Sequence, residues 1–214
     1  MRICQFLINN VPISRRSFST MVFNLPDLKL DFSIIELTFT GEYHEDVFGL
    51  KNNKTVAETL QHRRYRRFSA EVKDRYQNIL NKPLGTALLR LKHRGDKFYR
   101  RFLNPYGDLQ YSTFSLATSE FTSATGVYAY FDGNILRYIG RCRDSMKKRV
   151  NQGYGKIHPK NCYLDGQATN CRLNALISKT SDTISLRMCR IEDRSEIERV
   201  ESSLIQRHKP DWNI

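Results

Sequence analysis

Two short runs of strand-forming residues, Gly126 to Phe131 and Ile135 to Gly140, flank Asp132-Gly133-Asn134. Runs of this kind joined by a turn of small polar residues form a β-hairpin. With a three-residue loop, Phe131 pairs with Ile135 and Tyr128 stands opposite Tyr138. Alternation then puts both tyrosine hydroxyls on one face and collects Val127, Ala129, Phe131, Ile135 and Ile139 on the other. The expectation is an apolar side packed on a core and a tyrosine side that looks outward.

Residues 193 to 208 read as an amphipathic helix with Ile197, Val200, Leu204 and Ile205 on one face, opened by a cap at Asp193 or Ser195 with acids three residues later. Glu201 borders that apolar face. A carboxylate against apolar neighbours is costly to leave ionised, so a cation or hydrogen bonds should hold it. One hard oxygen ligand, with the other positions left to water and phosphate, is how Mg²⁺ is usually held.

Gly126-Val127-Tyr128, Tyr138-Ile139-Gly140, Arg149, Glu201 and Asn213 follow one another in the order found in the GIY-YIG nuclease module, and the segment from Thr125 to Ile214 resembles that family. Arg149 closes Arg141-Cys142-Arg143-Asp144-Ser145-Met146-Lys147-Lys148-Arg149, one residue longer than the family's usual stretch, so Lys148 is the other candidate for that place. The ending Val200-Glu201 to Asn213 is most similar to the restriction-enzyme members. The family often has a His or Tyr four residues after the arginine, where this chain has Gly153; Tyr154 and His158 are the nearby substitutes.

The resemblance implies phosphodiester hydrolysis, which needs a nucleophilic water, neutralised phosphoryl oxygens and help for the leaving oxygen. Glu201 would carry Mg²⁺ (or Mn²⁺). Arg149 would donate to the scissile phosphate, for which its planar fork is better suited than a lysine. Tyr128 or Tyr138 would orient or deprotonate the water. A tyrosine with an ordinary pKa near ~10 acts as a base only if cations lower it, and Arg141, three residues past Tyr138, is the candidate for that role. Asn213 is expected to hold the site together rather than react. Arg143, Lys147 and Lys148 are further candidates for DNA contact.

Charge agrees with a polyanionic partner. The chain has 35 Lys+Arg against 22 Asp+Glu, a formal net charge of +13, a balance that favours nucleic acids through counterion release. His62 to Arg101 holds 13 basic residues and 3 acids, whereas Asp27 to Asp46 holds six acids and one lysine. Within the basic block, Arg63, Arg64, Arg66 and Arg67 are candidate phosphate contacts. Interleaved Tyr65, Phe68, Tyr76, Phe98, Tyr99 and Phe102 either line a groove or form a core, with core the favoured reading.

The expected fold is α+β: a small antiparallel sheet flanked by helices over residues 121–214, and an α+β DNA-recognition region over residues 1–120 that carries no motif of its own. There, Ile34 to Thr40 reads as strand, Val56 to Leu80 as one or two helices broken before Pro83, Leu84 to Lys92 as a helix ending near Gly95, Asn104 to Asp108 as a turn and Leu109 to Leu116 as strand. Ser119 to Thr125 is a candidate link.

No apolar run approaches the roughly 18 residues of a membrane span. Ile3 to Ile13 is interrupted by Asn9, Asn10 and Pro12 and lacks a cleavage signature. Five scattered cysteines, at 4, 142, 162, 171 and 189, fit a reduced cytoplasmic protein; Cys162 and Cys171 with His158 form only a weak zinc pattern. The reading is a metal-dependent DNA endonuclease acting on double-stranded DNA, restriction-like, with repair and mobile-element roles as alternatives. One site per chain implies a homodimer or higher oligomer on DNA, or sequential nicking. The competing classes are a non-catalytic nucleic-acid binder that kept the fold, and an RNA-binding protein that stacks bases on exposed aromatics.

Overall fold

The computed structural model describes residues 20–117 and 120–213. The N-terminal segment with Cys4, the start of the Ser/Thr-rich link at Ser119, and Ile214 lie outside the described residues. The strands are β1 (Met21–Leu25), β2 (Leu28–Ile35), β3 (Leu37–His44), β4 (Tyr111–Leu116), β5 (Gly126–Asp132), β6 (Ile135–Cys142) and β7 (Ile184–Arg190). The α-helices are α1 (Val56–Leu60), α2 (Ser69–Arg75), α3 (Leu84–His93), α4 (Met146–Arg149), α5 (Ala168–Lys179) and α6 (Arg194–His208), with several 3-10 turns between them. Five strands form one antiparallel sheet in the order β1-β2-β7-β5-β6, and β3 pairs with β4 in a second, two-stranded sheet. The fold is α+β.

The central hairpin forms with a different register from the one expected. Its loop has two residues, Gly133 and Asn134, so Asp132 pairs with Ile135 and Phe131 with Leu136. Gly133 takes the turn at a φ of 57°, in the left-handed region that glycine enters without cost. Arg137 then has no partner on β5, and beyond this bulge Tyr130 faces Tyr138 and Tyr128 faces Gly140. A two-residue loop alone would have sent Tyr138 to the far face. The extra residue at Arg137 restores the alternation, which is why Tyr128 and Tyr138 still share a face.

Both faces of the hairpin are covered. Val127, Ala129, Phe131 and Ile139 pack with Phe23, Leu25, Leu30 and Phe32 of the β1-β2 hairpin and with Ile197, Val200 and Leu204 of α6. Ile135, assigned to that apolar side, is instead 56% exposed beside the turn. The tyrosine face, expected to look outward, is also core: Tyr128 and Tyr130 pack with Met146, Val150 and Tyr154, with Leu173 and Ile177 of α5, and with Trp212. These covering residues come from elements far along the chain, so no local pattern announces them.

In the first half, one strand was expected at Ile34 to Thr40. The chain instead breaks at Glu36, where β2 ends in the large sheet and β3 begins in the small one. The β1-β2 hairpin, joined across Pro26-Asp27, was not anticipated. α3 falls where Pro83 and Gly95 bracket it, starting after Pro83, with Gly95 following its end at a φ of 77°, whereas Val56 to Leu80 holds two short α-helices, α1 and α2, each followed by a 3-10 turn. α1 opens on a capping box in which Thr55 and Glu58 bind each other's backbone amides. These helices pack around Phe48, Leu84, Leu88 and Phe102, and the same cluster takes in Tyr163, Cys171 and Ala175. With β2 also paired to β7, position 120 marks where the motifs begin rather than a gap in the packing.

Candidate active site

The site is built at the outer edge of the sheet, along β6, where residues from both faces come together. On one face, four tyrosines form a cluster. Ring centroids lie 6.1 Å apart for Tyr128 and Tyr138, 6.1 Å for Tyr128 and Tyr130, and 6.5 Å for Tyr128 and Tyr154. Gly140 makes the approach possible. A β-carbon there would lie 2.6 Å from Cε1 of Tyr138 and 2.7 Å from Cζ and Oη of Tyr128.

Tyr154 reaches this cluster through a change of helix type. α4 runs into a π turn at Val150–Tyr154, closed by the Gly155 amide on the Val150 carbonyl at 2.8 Å. A π turn takes one more residue than an α turn. Tyr154, the candidate substitute for Gly153, thereby lies one turn beyond Arg149, and its hydroxyl lies 3.3 Å from that of Tyr130. Asn174 of α5 secures the turn by donating to the carbonyls of Tyr154 (2.6 Å) and Ser112 (2.8 Å). His158 is not part of the cluster. It is exposed and caps a 3-10 turn by accepting the Lys160 amide at 3.2 Å.

Of the two candidates for the arginine position, Arg149 is the one whose charge acts on Tyr128, Tyr138 and Glu201. Lys147, Lys148 and Arg149 are all exposed on this short helix, which Ser145 caps through the Lys148 amide.

From the other face comes Glu201, on α6 beside Val200 and Leu204 as expected. Its side chain is only 14% exposed, and Nη1 of Arg141 donates to its carboxylate at 2.7 Å. Arg141 also meets Glu198 at 3.3 Å, and Arg143 pairs with the same Glu198. Burial raises the pKa of Glu201 above the ordinary carboxylate value, with Arg141 and then Arg149 opposing the rise. The part assigned to Arg141, lowering the pKa of Tyr138, does not hold. Three residues along a strand place two side chains on opposite faces, so Arg141 turns toward α6 and the carboxylates. The cations acting on Tyr138 are Arg149 and Arg172.

Neither tyrosine has a lowered pKa. Burial lifts both above the usual phenol value, against the opposing charge of Arg149. Tyr138 is the partly exposed one, and the neighbouring Tyr128 hydroxyl acts in the sense that favours its ionised form.

Asn213 fastens the chain end to this edge. Its carboxamide oxygen accepts from the Ile139 amide at 2.9 Å, and its Nδ2 donates to the Ile139 carbonyl at 2.8 Å. The Trp212 amide adds a bond to the Arg137 carbonyl at 2.9 Å. One side chain thus stands in for the strand that β6, as an edge, would otherwise lack. Arg172, on α5, donates to the Trp212 carbonyl. Sequence reasoning missed Arg172 and Asn174, because each acts through elements that only the fold brings near.

Comparison with protein-family models, with curated proteins and with solved structures returned no match.

The donor set at the site is one hard carboxylate with cations around it. Among the described residues, no group of three or more His, Cys, Asp or Glu side chains gathers to hold a metal. Glu201 is a hard oxygen donor of the type that Mg²⁺ takes alongside water and phosphate oxygens, and Arg141 holds it at 2.7 Å. Cys162 and Cys171 are buried in the helical core beside Tyr111, and His158 does not join them.

The DNA-contact candidates Arg63, Arg64, Arg66 and Arg67 are all exposed, as is Arg143. Arg64 donates to the Leu164 carbonyl. Of the aromatics interleaved with them, Tyr65, Phe68, Phe98, Tyr99 and Phe102 are buried in the core, and Tyr76 is partly buried and stacked on Phe98 at 4.4 Å. Among the described residues, no helix is long and apolar enough to cross a membrane.

Proposed function

We propose that this protein is a metal-dependent endonuclease that hydrolyses phosphodiester bonds in double-stranded DNA in the manner of the GIY-YIG nucleases. The observation that carries the reading is the meeting of Tyr128, Tyr138, Arg149 and Glu201 along β6, with Asn213 holding that edge. Arg149 acts on the tyrosines with its charge and is exposed, so its guanidinium can take phosphate oxygens, a contact that strengthens as charge develops in the transition state. Tyr138, protonated at neutral pH and partly open to solvent, suits the role of holding the attacking water, with Tyr128 behind it fixing its hydroxyl. Glu201 would hold the divalent cation, which when bound supplies charge neutralisation at the phosphate and eases loss of the leaving oxygen. Arg141 keeps the buried carboxylate neutralised and aimed.

The favoured setting is restriction, inside the cell, where Cys142, Cys162, Cys171 and Cys189 stand as free thiols. The burial of the aromatic side chains in the basic block weighs against the base-stacking RNA-binding alternative. The test is incubation of the protein with mixed-sequence duplex DNA and Mg²⁺, followed by sequencing of the ends. Metal-dependent cutting at a recurrent sequence supports the reading, and intact DNA across a range of enzyme concentrations sinks it.

A further inference from the structure

We propose that a cleft lined by Arg67, Arg100 and Arg101, separate from the hydrolytic site, docks the sugar-phosphate backbone of duplex DNA. This rests on the DNA-directed reading above. The cleft has a volume of about 490 Å³ and is floored by Leu103, Pro105 and Leu109, with an adjoining recess of about 320 Å³ between Arg67, Phe68 and Arg101.

Each of the three guanidinium groups lies on an aromatic ring of the helical core. Arg67 is 4.8 Å from the centroid of Phe68, Arg101 is 4.7 Å from Phe68 and 5.1 Å from Phe98, and Arg100 is 5.8 Å from Tyr99. Nε of Arg100 also donates to the Tyr99 hydroxyl at 3.1 Å. Rings beneath the cations restrict where the heads can go without cancelling their charge. The arginines are thus ordered before any ligand arrives.

The charges of Arg67 and Arg100 are weakly opposed, whereas Arg101 is ion-paired. Among the described residues Arg67 makes no ion pair, and the carboxylate nearest Arg100 is Asp108 at 3.9 Å. Asp108, the acid in the lining, is already taken by Lys92 and by the Tyr99 hydroxyl, each at 2.6 Å. Arg101 pairs with Glu71, which Arg75 shares at 3.8 Å. Arg64 does not enter the cleft as a free cation; it holds the wall by donating to the Leu164 carbonyl.

The same geometry selects phosphate over base. A base needs an open aromatic face to stack on, and here the rings are 2% (Phe68), 6% (Phe98) and 4% (Tyr99) exposed, with guanidinium groups over them. What the cleft presents is a row of forked donors above an apolar floor, which suits phosphate oxygens with deoxyribose beneath them.

The test is the affinity of the full chain for a mixed-sequence DNA duplex, followed by fluorescence anisotropy in EDTA over a series of salt concentrations. The variants are Arg67→Ala and Arg100→Ala, with Lys179→Ala and Arg207→Ala as exposed controls. Each lost phosphate contact removes about 0.9 from the log-log salt slope, so the parent's advantage over each cleft variant shrinks about 3.5-fold between 50 and 200 mM salt. The controls should keep the parental slope, and the melting temperature of the cleft variants should fall by no more than about 4 °C, since only the cation–ring contacts of exposed arginines and one hydrogen bond are lost. Parental slopes in both cleft variants overturn the proposal while leaving the DNA reading in place. Absence of salt-dependent DNA binding by the parent removes both.

Discussion

Replacing Asn213 with alanine removes the side chain that closes the edge of β6, and its consequences are calculable. Two hydrogen bonds to Ile139, of 2.8 and 2.9 Å, disappear. At about 0.5–1.5 kcal/mol each, the direct loss is about 1–3 kcal/mol. Trp212, 7% exposed and packed in the tyrosine cluster, is tied in part through its neighbour, so its release would add to that loss. For a chain of this size, each kcal/mol corresponds to about 2–4 °C in melting temperature, so a fall of about 2–12 °C is expected. Trp212 is the sole tryptophan, so its fluorescence reports this locus alone, and its emission should shift to the red in the variant. Asn213→Asp retains an acceptor for the Ile139 amide but sets a carboxylate against the Ile139 carbonyl, and should be at least as damaging. An alanine variant that loses less than about 0.5 kcal/mol in urea unfolding, with parental tryptophan emission, refutes the clamp.

Arg149→Ala should lower single-turnover DNA cleavage by about two to three orders of magnitude with modest loss of binding, whereas Lys148→Ala should cut at near-parental rates; the reverse ranking would reassign the phosphate contact. Gly140→Ala should cost about 1–3 kcal/mol by overpacking, because the new methyl meets Tyr128 and Tyr138 at 2.6–2.7 Å; an unchanged near-UV circular dichroism spectrum and parental stability would show that the rings can move aside. Burial raises the pKa of Glu201, so the folded chain binds that proton more tightly than the unfolded chain. The associated stability is full below the unfolded value of ~4.3 and is lost as pH rises through the folded value. Glu201→Gln, measured without metal, should therefore be at least as stable as the parent at neutral pH, and the parent should gain on it as the medium is acidified; a variant clearly weaker at pH 7 contradicts the net cost of the buried carboxylate.

What could be read from the residues was local. The hairpin at Gly133-Asn134, the apolar stripe of α6 that places Glu201, and α3 between Pro83 and Gly95 all follow from short-range periodicity and turn chemistry. The β1-β2 hairpin was open to the same reading, since Leu28, Leu30 and Phe32 alternate with polar residues. The register was not legible, because nothing in Leu136-Arg137-Tyr138 marks Arg137 as the bulge. Burial of the tyrosines depends on α5, the π turn and Trp212, which reach β5 only through the fold. The same is true of Arg172, which reaches the Trp212 carbonyl 40 residues away, and of Asn174, which donates to carbonyls 20 and 62 residues away. Arg141 is close to Tyr138 along the chain, but strand alternation turns it to the opposite face.

The central claim is that Glu201 serves hydrolysis at a site formed with Arg149 and the tyrosines. The measurement that meets it most directly compares the parent with Glu201→Gln on the same duplex DNA in Mg²⁺, with binding measured in parallel without metal. The variant should fold and bind DNA as the parent does while its cleavage rate falls by orders of magnitude. A variant that cuts at the parental rate in Mg²⁺ contradicts it.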